Sequence, residues 1–376
     1  MSPIFALAAG GTGGHLFPAE AVARLLVASG AAVHLLTDRR VDAFATSVPG
    51  VTIDLVRAGR FGGGPLHAAY GLAELAVGMV QARRLLRRLA PAAVVGFGGY
   101  PSVPTMLAAA QLGLPTVIHE QNVVLGRANR LLASRARRIA TGFAAVQGLR
   151  PADQDRAVHI GNPVRPEIRA VGIAPYVPPE GALELLIVGG SQGARIFGEI
   201  VPPALGLLPA ELRDRLRVSQ QARPEDKEEV AAQYRALAVD AAIESFFQDM
   251  PARLQRAHLV ICRAGASTIA ELAAAGRPAI LVPYPHAMDD HQTANAGEFT
   301  SAGGGWLVPQ SELTPASLGA RLANLLADPA SLAAAAAASR AFARDDAAEH
   351  LAALVRSLAP DRNGGPLGNR SLEQAA

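Results

Sequence analysis

Only one cysteine, Cys262, stands in this chain of 376 residues, so an internal disulfide is excluded and a reducing compartment suits the protein. Its expected role is a small buried side chain, not a catalytic thiol. Aromatics are scarce at 5%, whereas half of the residues are apolar, which fits a globular chain and excludes a disordered one. No uninterrupted apolar run reaches the roughly 18 residues that a membrane span needs. The first apolar run has no basic segment before it, so no signal peptide is expected. No Gly-Lys-Ser/Thr follows the first glycine-rich turn, which excludes a Walker loop. A dinucleotide fingerprint would need a third glycine where Leu16 stands, which disfavours a dehydrogenase. Nothing in the pattern suggests nucleic acid as a partner.

Charge is also absent where it might be expected, for the formal net charge is only +3. Its distribution is uneven. Residues 1–165 carry 17 Lys+Arg against 8 Asp+Glu, and residues 166–376 carry 18 against 24. A basic first half beside an acidic second half points to an anionic partner for the first half alone.

What is present, twice, is a short apolar run that stops at a glycine doublet and passes into a helix-like pattern. Residues 4–9 lead into Gly10-Gly11-Thr12-Gly13-Gly14-His15, and Leu185-Leu186-Ile187-Val188 leads into Gly189-Gly190-Ser191-Gln192-Gly193-Ala194-Arg195. A strand that feeds such a turn at a helix N-terminus offers outward backbone N–H groups, a favourable dipole and room for a phosphate at the main chain. One turn is as readily a plain βα connection. The pair suggests two similar domains, and the length of the chain accommodates both.

Strands are expected at 4–9, 32–37, 51–56, 93–97, 115–118, 137–141 and 157–160, with helices near 18–29, 68–89, 101–112 and 124–134. The second series places strands at 184–188, 216–220, 241–244, 258–261 and 279–283, between helices near 194–207, 225–238, 249–256, 266–275, 289–302 and 315–326. A last helix is read over 330–357. Such alternation predicts parallel sheets covered on both faces, an α/β chain of two doubly wound domains. Expected domains are residues 1–162 and 163–340, with a C-terminal helix at 341–359 packing back on the first domain. The Gly- and Asn-containing tail at 360–376 is expected to be disordered.

Polar residues gather where strands should end. Cys262-Arg263-Ala264-Gly265-Ala266-Ser267-Thr268-Ile269-Ala270-Glu271 opens a helix with small residues and two hydroxyls, which suits a diphosphate. Glu271 lies one turn further in, where a carboxylate can accept both hydroxyls of a ribose. The plain alternative for Ser267, Thr268 and Glu271 is helix capping and dipole compensation. Gly96-Phe97-Gly98-Gly99-Tyr100-Pro101 and His119-Glu120-Gln121-Asn122 follow two strands of the first half, and His15 stands beside them as a candidate general base or simply as a cap on its own helix. Asp289-Asp290 is the one suggestion of a metal, and no metal or other cofactor is expected. On the helix at 68–89 the stripe Leu72, Leu75, Met79, Ala82, Leu86 and Leu89 reads as core. Arg83, Arg84, Arg87 and Arg88 keep open a membrane-surface role beside the loop Arg60-Phe61-Gly62-Gly63-Gly64-Pro65.

Seven motifs in order, at 10–19, 98–102, 119–122, 161–165, 189–195, 263–268 and 290–296, closely resemble the MurG family of bacterial glycosyltransferases. The resemblance covers residues 4 to about 345. It implies a GT-B architecture, two Rossmann-like domains facing a central cleft, with the basic domain toward anionic lipid. It also implies an inverting transferase that moves N-acetylglucosamine from its UDP conjugate to the 4-hydroxyl of the muramyl sugar of lipid I. The product is lipid II for peptidoglycan, made peripherally at the cytoplasmic face of the membrane, with other cell-wall and division proteins as further partners. By motif, the donor would meet Thr12, Gly13, Gly14, Asn122, Arg165, Ser191, Phe247, Ala266, Ser267, Thr268, Ile269, Glu271 and Gln292. Gly98, Gly99 and Tyr100 would face the acceptor, His15 is the implied base and Glu120 the second catalytic candidate. A UDP-sugar epimerase, a lipid glycosyltransferase with another acceptor and a non-catalytic nucleotide-sugar-binding scaffold are the competing readings.

Overall fold

The computed structural model describes residues 2–10, 13–38, 48–59, 64–190 and 193–359. They form two units. The first comprises residues up to Gln121, Leu125–Pro163 and the segment from Asp346 onward; the second comprises Asn122–Val124 and Val164–Asp345.

The first unit runs β1 (Ile4–Ala8), α1 (Gly13–Ala28), β2 (Ala32–Thr37), β3 (Val51–Leu55), α2 (Gly64–Leu89), β4 (Ala93–Gly96), α3 (Ser102–Gln111), β5 (Thr116–Glu120), α4 (Arg127–Leu132), β6 (Arg138–Thr141), α5 (Pro151–Gln154) and β7 (Ala157–His159). Its sheet is parallel throughout, in the order β3-β2-β1-β4-β5-β6-β7. The central strands are apolar on both faces because helices cover both. In β1, Phe5 and Leu7 point into one core with Val22 and Leu26 of α1, while Ala6 and Ala8 point into the other with Leu86 of α2 and Met106 of α3.

The second unit continues with α6 (Pro166–Val171), β8 (Leu183–Val188), α7 (Arg195–Gly206), α8 (Ala210–Arg213), β9 (Leu216–Gln221), α9 (Lys227–Ala236), β10 (Asp240–Glu244), α10 (Met250–Arg256), β11 (Leu259–Cys262), α11 (Ala266–Ala275), β12 (Ala279–Leu281), α12 (His291–Ser301), β13 (Gly305–Leu307), α13 (Pro315–Leu326) and α14 (Pro329–Phe342). Its parallel sheet has the order β10-β9-β8-β11-β12-β13. Counted within its own unit, each sheet therefore begins 3-2-1-4-5-6, the doubly wound order in which the chain reverses direction between strands 1 and 4. Cys262 is fully buried in β11 and burial pushes its thiol up to about 12, as befits a structural side chain.

Three sequence readings need correction. The helix expected over 330–357 is two helices, α14 and α15 (Ala347–Ser357), because Ala343 turns extended and Arg340 pairs with Asp345. Helix propensity alone would continue through that alanine-rich stretch; tertiary contacts end it. Strand β13, which is three residues long and opens on the last glycine of a run of three, was not expected at all. On α2 the core face is made by Gly71, Gly78, Ala82 and Leu86, whereas Leu72 is 59% exposed alongside exposed Tyr70, Val77 and Val80. Gly78 has to be glycine there, because a Cβ would overlap the Arg57 carbonyl oxygen.

Helix α15 packs on α1 and completes the first core with Leu351, Ala352, Leu354 and Val355. Leu351 is fully buried, so Leu351→Ala should lower the unfolding free energy by about 3 kcal/mol, measured by urea denaturation. A change below about 1 kcal/mol would show that α15 is not part of that core.

Candidate functional site

At the switch point of a doubly wound sheet two adjacent strands send their connections to opposite faces, which leaves a crevice at their C-terminal ends. In the first unit these strands are β1 and β4, and they end at Gly10 and at Gly96-Phe97-Gly98-Gly99. In the second they are β8 and β11, which pair Val188 with Cys262 and end at Gly189-Gly190 and Arg263-Ala264-Gly265. The glycine turns singled out from the sequence thus stand side by side at each switch point.

In the first unit, His15 lies in the first turn of α1 with its ring against the Gly98-Gly99 backbone. Both glycines have φ in the left-handed region, +86° and +73°, and a Cβ on either would come within 3.3 Å and 3.2 Å of the imidazole. Glycine is therefore required there for conformation and for space. Gly13 and Gly14 open the same helix; Tyr100, half-buried, precedes α3. Thr12, Ser191 and the loop residues Arg60, Phe61, Gly62 and Gly63 lie outside the described residues, as does the tail from Pro360.

Behind His15 is a buried polar network at the end of β5. His119 donates from Nε2 to the Gly161 carbonyl at 3.1 Å, and its Nδ1 accepts from Gln121 Nε2 at 3.2 Å. Gln121 Nε2 also donates to the Phe97 carbonyl at 2.7 Å, and Asn162 Nδ2 donates to the Gln121 carbonyl at 2.9 Å. Burial lowers the His119 pKa to about 4, outweighing the hydrogen bond to Gly161, and nearby His15 lowers it further. Glu120 is only 1% exposed; its Oε2 accepts from Gly126 N at 2.9 Å and Asn129 Nδ2 at 2.8 Å. Asn129 Nδ2 reaches the His119 carbonyl as well, at 3.1 Å. The Glu120 carboxylate thus braces the β5–α4 connection, and nothing in the motif spacing announced the parts of Asn129 and Asn162.

In the second unit, α11 starts after Gly265, which has no side chain to cap the first N–H groups. Ala266, Ser267, Thr268 and Ile269 form its first turn, with Ala266 and Ile269 buried. Glu271 is held by Arg165: Nε and Nη2 of the guanidinium donate to the same Oε1 at 3.1 and 2.8 Å. Two residues 106 positions apart in sequence are thereby brought into one ion pair. Arg263 presents a half-buried guanidinium to the Val282 and Pro283 carbonyls and to Gln310 Oε1, and burial lowers its pKa. Gln292 of α12 accepts from Tyr284 N at 2.9 Å. The two residues before α12, Asp289 and Asp290, are both left-handed, and Asp290 Oδ1 accepts from Thr293 Oγ1.

Phe247 follows β10, the edge strand and two strands away from β8; it is buried, with its ring under the Arg253 guanidinium. The chain's Asp153-Gln154-Asp155 spacing, in and after α5, is occupied structurally: Asp153 pairs with Arg150 and Arg156. Among the described residues no group of three or more His, Cys, Asp or Glu side chains is placed to hold a metal.

Two family models match the chain, the glycosyltransferase family 28 N-terminal domain over residues 5–141 and the family 28 C-terminal domain over residues 184–351. They define a two-unit glycosyltransferase. A relative from Rhodospirillum centenum is 56% identical over 97% of this chain and 96% of its own length, and one from Rhodospirillum rubrum is 54% identical over 95% and 92%. Both carry the name UDP-N-acetylglucosamine–N-acetylmuramyl-(pentapeptide) pyrophosphoryl-undecaprenol N-acetylglucosamine transferase. The solved structure of Acinetobacter baumannii MurG is 32% identical, covers 94% of this chain and 99% of its own, and has a TM-score of 0.76. The chain belongs to the MurG family. A UDP-N-acetylglucosamine 2-epimerase from Listeria monocytogenes, 15% identical with a TM-score of 0.67 and covering 95% of this chain and 96% of its own, shares the fold.

His119 stays neutral in the fold down to about pH 4, whereas in the unfolded chain it takes a proton near its ordinary 6.5. The unfolded state therefore binds the extra proton between those values, and the His119 contribution, complete above pH 6.5, is lost as pH falls toward 4. The loss should amount to about 3 kcal/mol by pH 4. Denaturation of wild type and His119→Gln across this window checks it: the stability difference should shift with pH, and a constant difference would contradict a buried neutral imidazole.

Proposed function

We propose that this protein is the transferase that moves N-acetylglucosamine from UDP-N-acetylglucosamine to the 4-hydroxyl of the muramyl sugar of lipid I, forming lipid II for peptidoglycan. What carries the reading at the site is the second unit's open α11 N-terminus with the Arg165-held Glu271 carboxylate one turn further in. The backbone N–H groups of 266–268 and the hydroxyls of Ser267 and Thr268 take the diphosphate, and Glu271 takes the ribose. Arg165 and the backbone at Phe247 and Ile269 serve the nucleoside, with Ser191 beside them, while Asn122 and Gln292 serve the sugar and its linkage.

The first unit supplies the acceptor side through Gly98, Gly99 and Tyr100, while Thr12, Gly13 and Gly14 serve the donor. His15 removes the proton of the acceptor hydroxyl as its oxygen bonds to C1 of the donor sugar and the C1–O bond to the β-phosphate breaks. Displacement from the opposite face inverts the anomeric centre. UDP leaves with its new charge facing the α11 N-terminus, where fixed N–H dipoles need no reorganisation. Glu120, enclosed by Gly126 and Asn129, acts by holding the β5–α4 connection in place.

A lipid-linked acceptor calls for membrane contact, and no described helix is long and apolar enough to cross a bilayer. Exposed Tyr70, Leu72, Val77 and Val80 on α2, continued by Arg83, Arg84, Arg87 and Arg88, suit peripheral attachment to an anionic leaflet, the cytoplasmic one in this reading.

Transfer of labelled N-acetylglucosamine to a short-chain lipid I analogue tests the whole reading. Product at its muramyl 4-hydroxyl is expected; donor binding without product would leave a scaffold, and conversion of donor without acceptor an epimerase. His15→Ala should cut turnover by about 100-fold or more with donor affinity retained, and near-normal turnover would remove it as base. Glu271→Ala should weaken UDP binding by about tenfold, and unchanged affinity would sink the ribose assignment. Replacing Arg84 and Arg87 by glutamate should reduce co-sedimentation with anionic vesicles at low salt, and unaltered binding would clear α2 of that role.

A further inference from the structure

Asn295, on the inward face of α12, is fully buried and makes three hydrogen bonds inside the second unit. Its Oδ1 accepts from Val123 N at 2.9 Å, and its Nδ2 donates to Asn122 Oδ1 at 3.0 Å and to the Ala264 carbonyl at 3.3 Å. Asn122–Val124 belong to this unit although the chain on either side of them belongs to the other.

The polarity of this arrangement is not a matter of choice. A backbone N–H can only donate and a backbone carbonyl can only accept, so Val123 and Ala264 together dictate which end of the Asn295 amide is oxygen and which is nitrogen. With its oxygen engaged by Val123, Asn295 has only N–H groups to offer Asn122. Asn122 must then meet it with its own oxygen, so its Nδ2 is the end of that amide that donates elsewhere. The same side chain also anchors the carbonyl immediately before Gly265, where α11 begins.

We propose that Asn295 is a positioning residue that fixes the Asn122 side chain as a hydrogen-bond donor toward the UDP-sugar and registers it against the diphosphate turn at 264–268. This rests on the reading of Asn122 as a donor-binding residue. The group that Asn122 meets is accordingly an acceptor: a phosphate oxygen, a sugar hydroxyl oxygen or the acetamido carbonyl. Burial makes the device stiff, because a fully enclosed amide that lost any of these partners would leave a polar atom unsatisfied.

Titration of UDP-N-acetylglucosamine into four variants tests it, with thermal melting as the control for folding. Asn122→Ala should weaken donor binding by about tenfold; if it does not, the donor-binding reading of Asn122 falls, and this proposal with it. Asn295→Asp keeps the acceptor for Val123 N but sets a carboxylate oxygen against the Asn122 oxygen and the Ala264 carbonyl. It should weaken donor binding by about tenfold in the wild-type background and by less than about twofold when Asn122 is already alanine. Two results would overturn the proposal while sparing the role of Asn122. One is wild-type affinity in Asn295→Asp; the other is an equal loss in both backgrounds, which would place the effect in the α11 turn. Should Asn295→Asp melt far below wild type, Asn122→Asp decides, because it keeps an acceptor for Asn295 and replaces the Nδ2 donor by a carboxylate oxygen. Loss of donor affinity at least equal to that of Asn122→Ala is then expected, and retained affinity would overturn the polarity argument.

Discussion

Parallel strands all end on one edge of their sheet, and in each unit of this protein two neighbouring strands at that edge send their connections to opposite faces. The gap this opens cannot be closed by side chains without covering the backbone N–H groups of the helices that follow. Both units keep it open with glycine. Gly98 and Gly99 are left-handed and lie against His15, and Gly190 and Gly193, also left-handed, form the turn after β8. Everything chemical in the molecule hangs from these two reversals, for they set which turns are neighbours. The turn at 189 is flanked by the one at 264 because β8 pairs with β11, not because the two are related in sequence.

Around each reversal the protein buries polar groups in quantity, and pairs them by polarity. The first unit does so with His119, Gln121, Asn129, Asn162 and Glu120, whose bonds run largely to backbone carbonyls and amides. The second does so with buried Asn295 and the half-buried Arg165–Glu271 pair. A backbone partner has a fixed sense, so each such bond also sets the orientation of the next side chain along. This is how a fold made mainly of apolar strands holds an imidazole, an amide and a carboxylate in defined directions. The cost is sensitivity: removing one member strands another in a medium of low polarity. His119 shows the same cost in protons, since its burial holds the ring neutral far below its ordinary range.

Much of this was legible in the sequence because it is local. Period-two and period-3.6 apolar patterns gave the alternation of strands and helices, and glycine doublets after apolar runs marked the strand ends that matter. Helix ends inside the alanine-rich C-terminal stretch were not legible. Alanine continues a helix wherever nothing stops it, and what stops α14 is an Arg340–Asp345 pair and a turn at Ala343. On α2 the expected stripe holds at buried Ala82 and Leu86 but not at exposed Leu72, and the buried Gly71 and Gly78 were not legible. Apolar spacing identifies a stripe, but close backbone approach decides which stripe faces the core, and glycine is silent in a hydrophobicity count.

By itself, then, the sequence determined the class of fold, the family and the set of residue types available to the site, since each follows from short-range pattern and from ordered motifs. Tertiary structure alone decided the partnerships. Arg165 meets Glu271 across 106 positions and Asn295 meets Asn122 across 173, and no spacing rule relates such residues. The packing of α6 on α11 brings the first pair together and the inward face of α12 the second, and such packing forms only when the helices close over their cores.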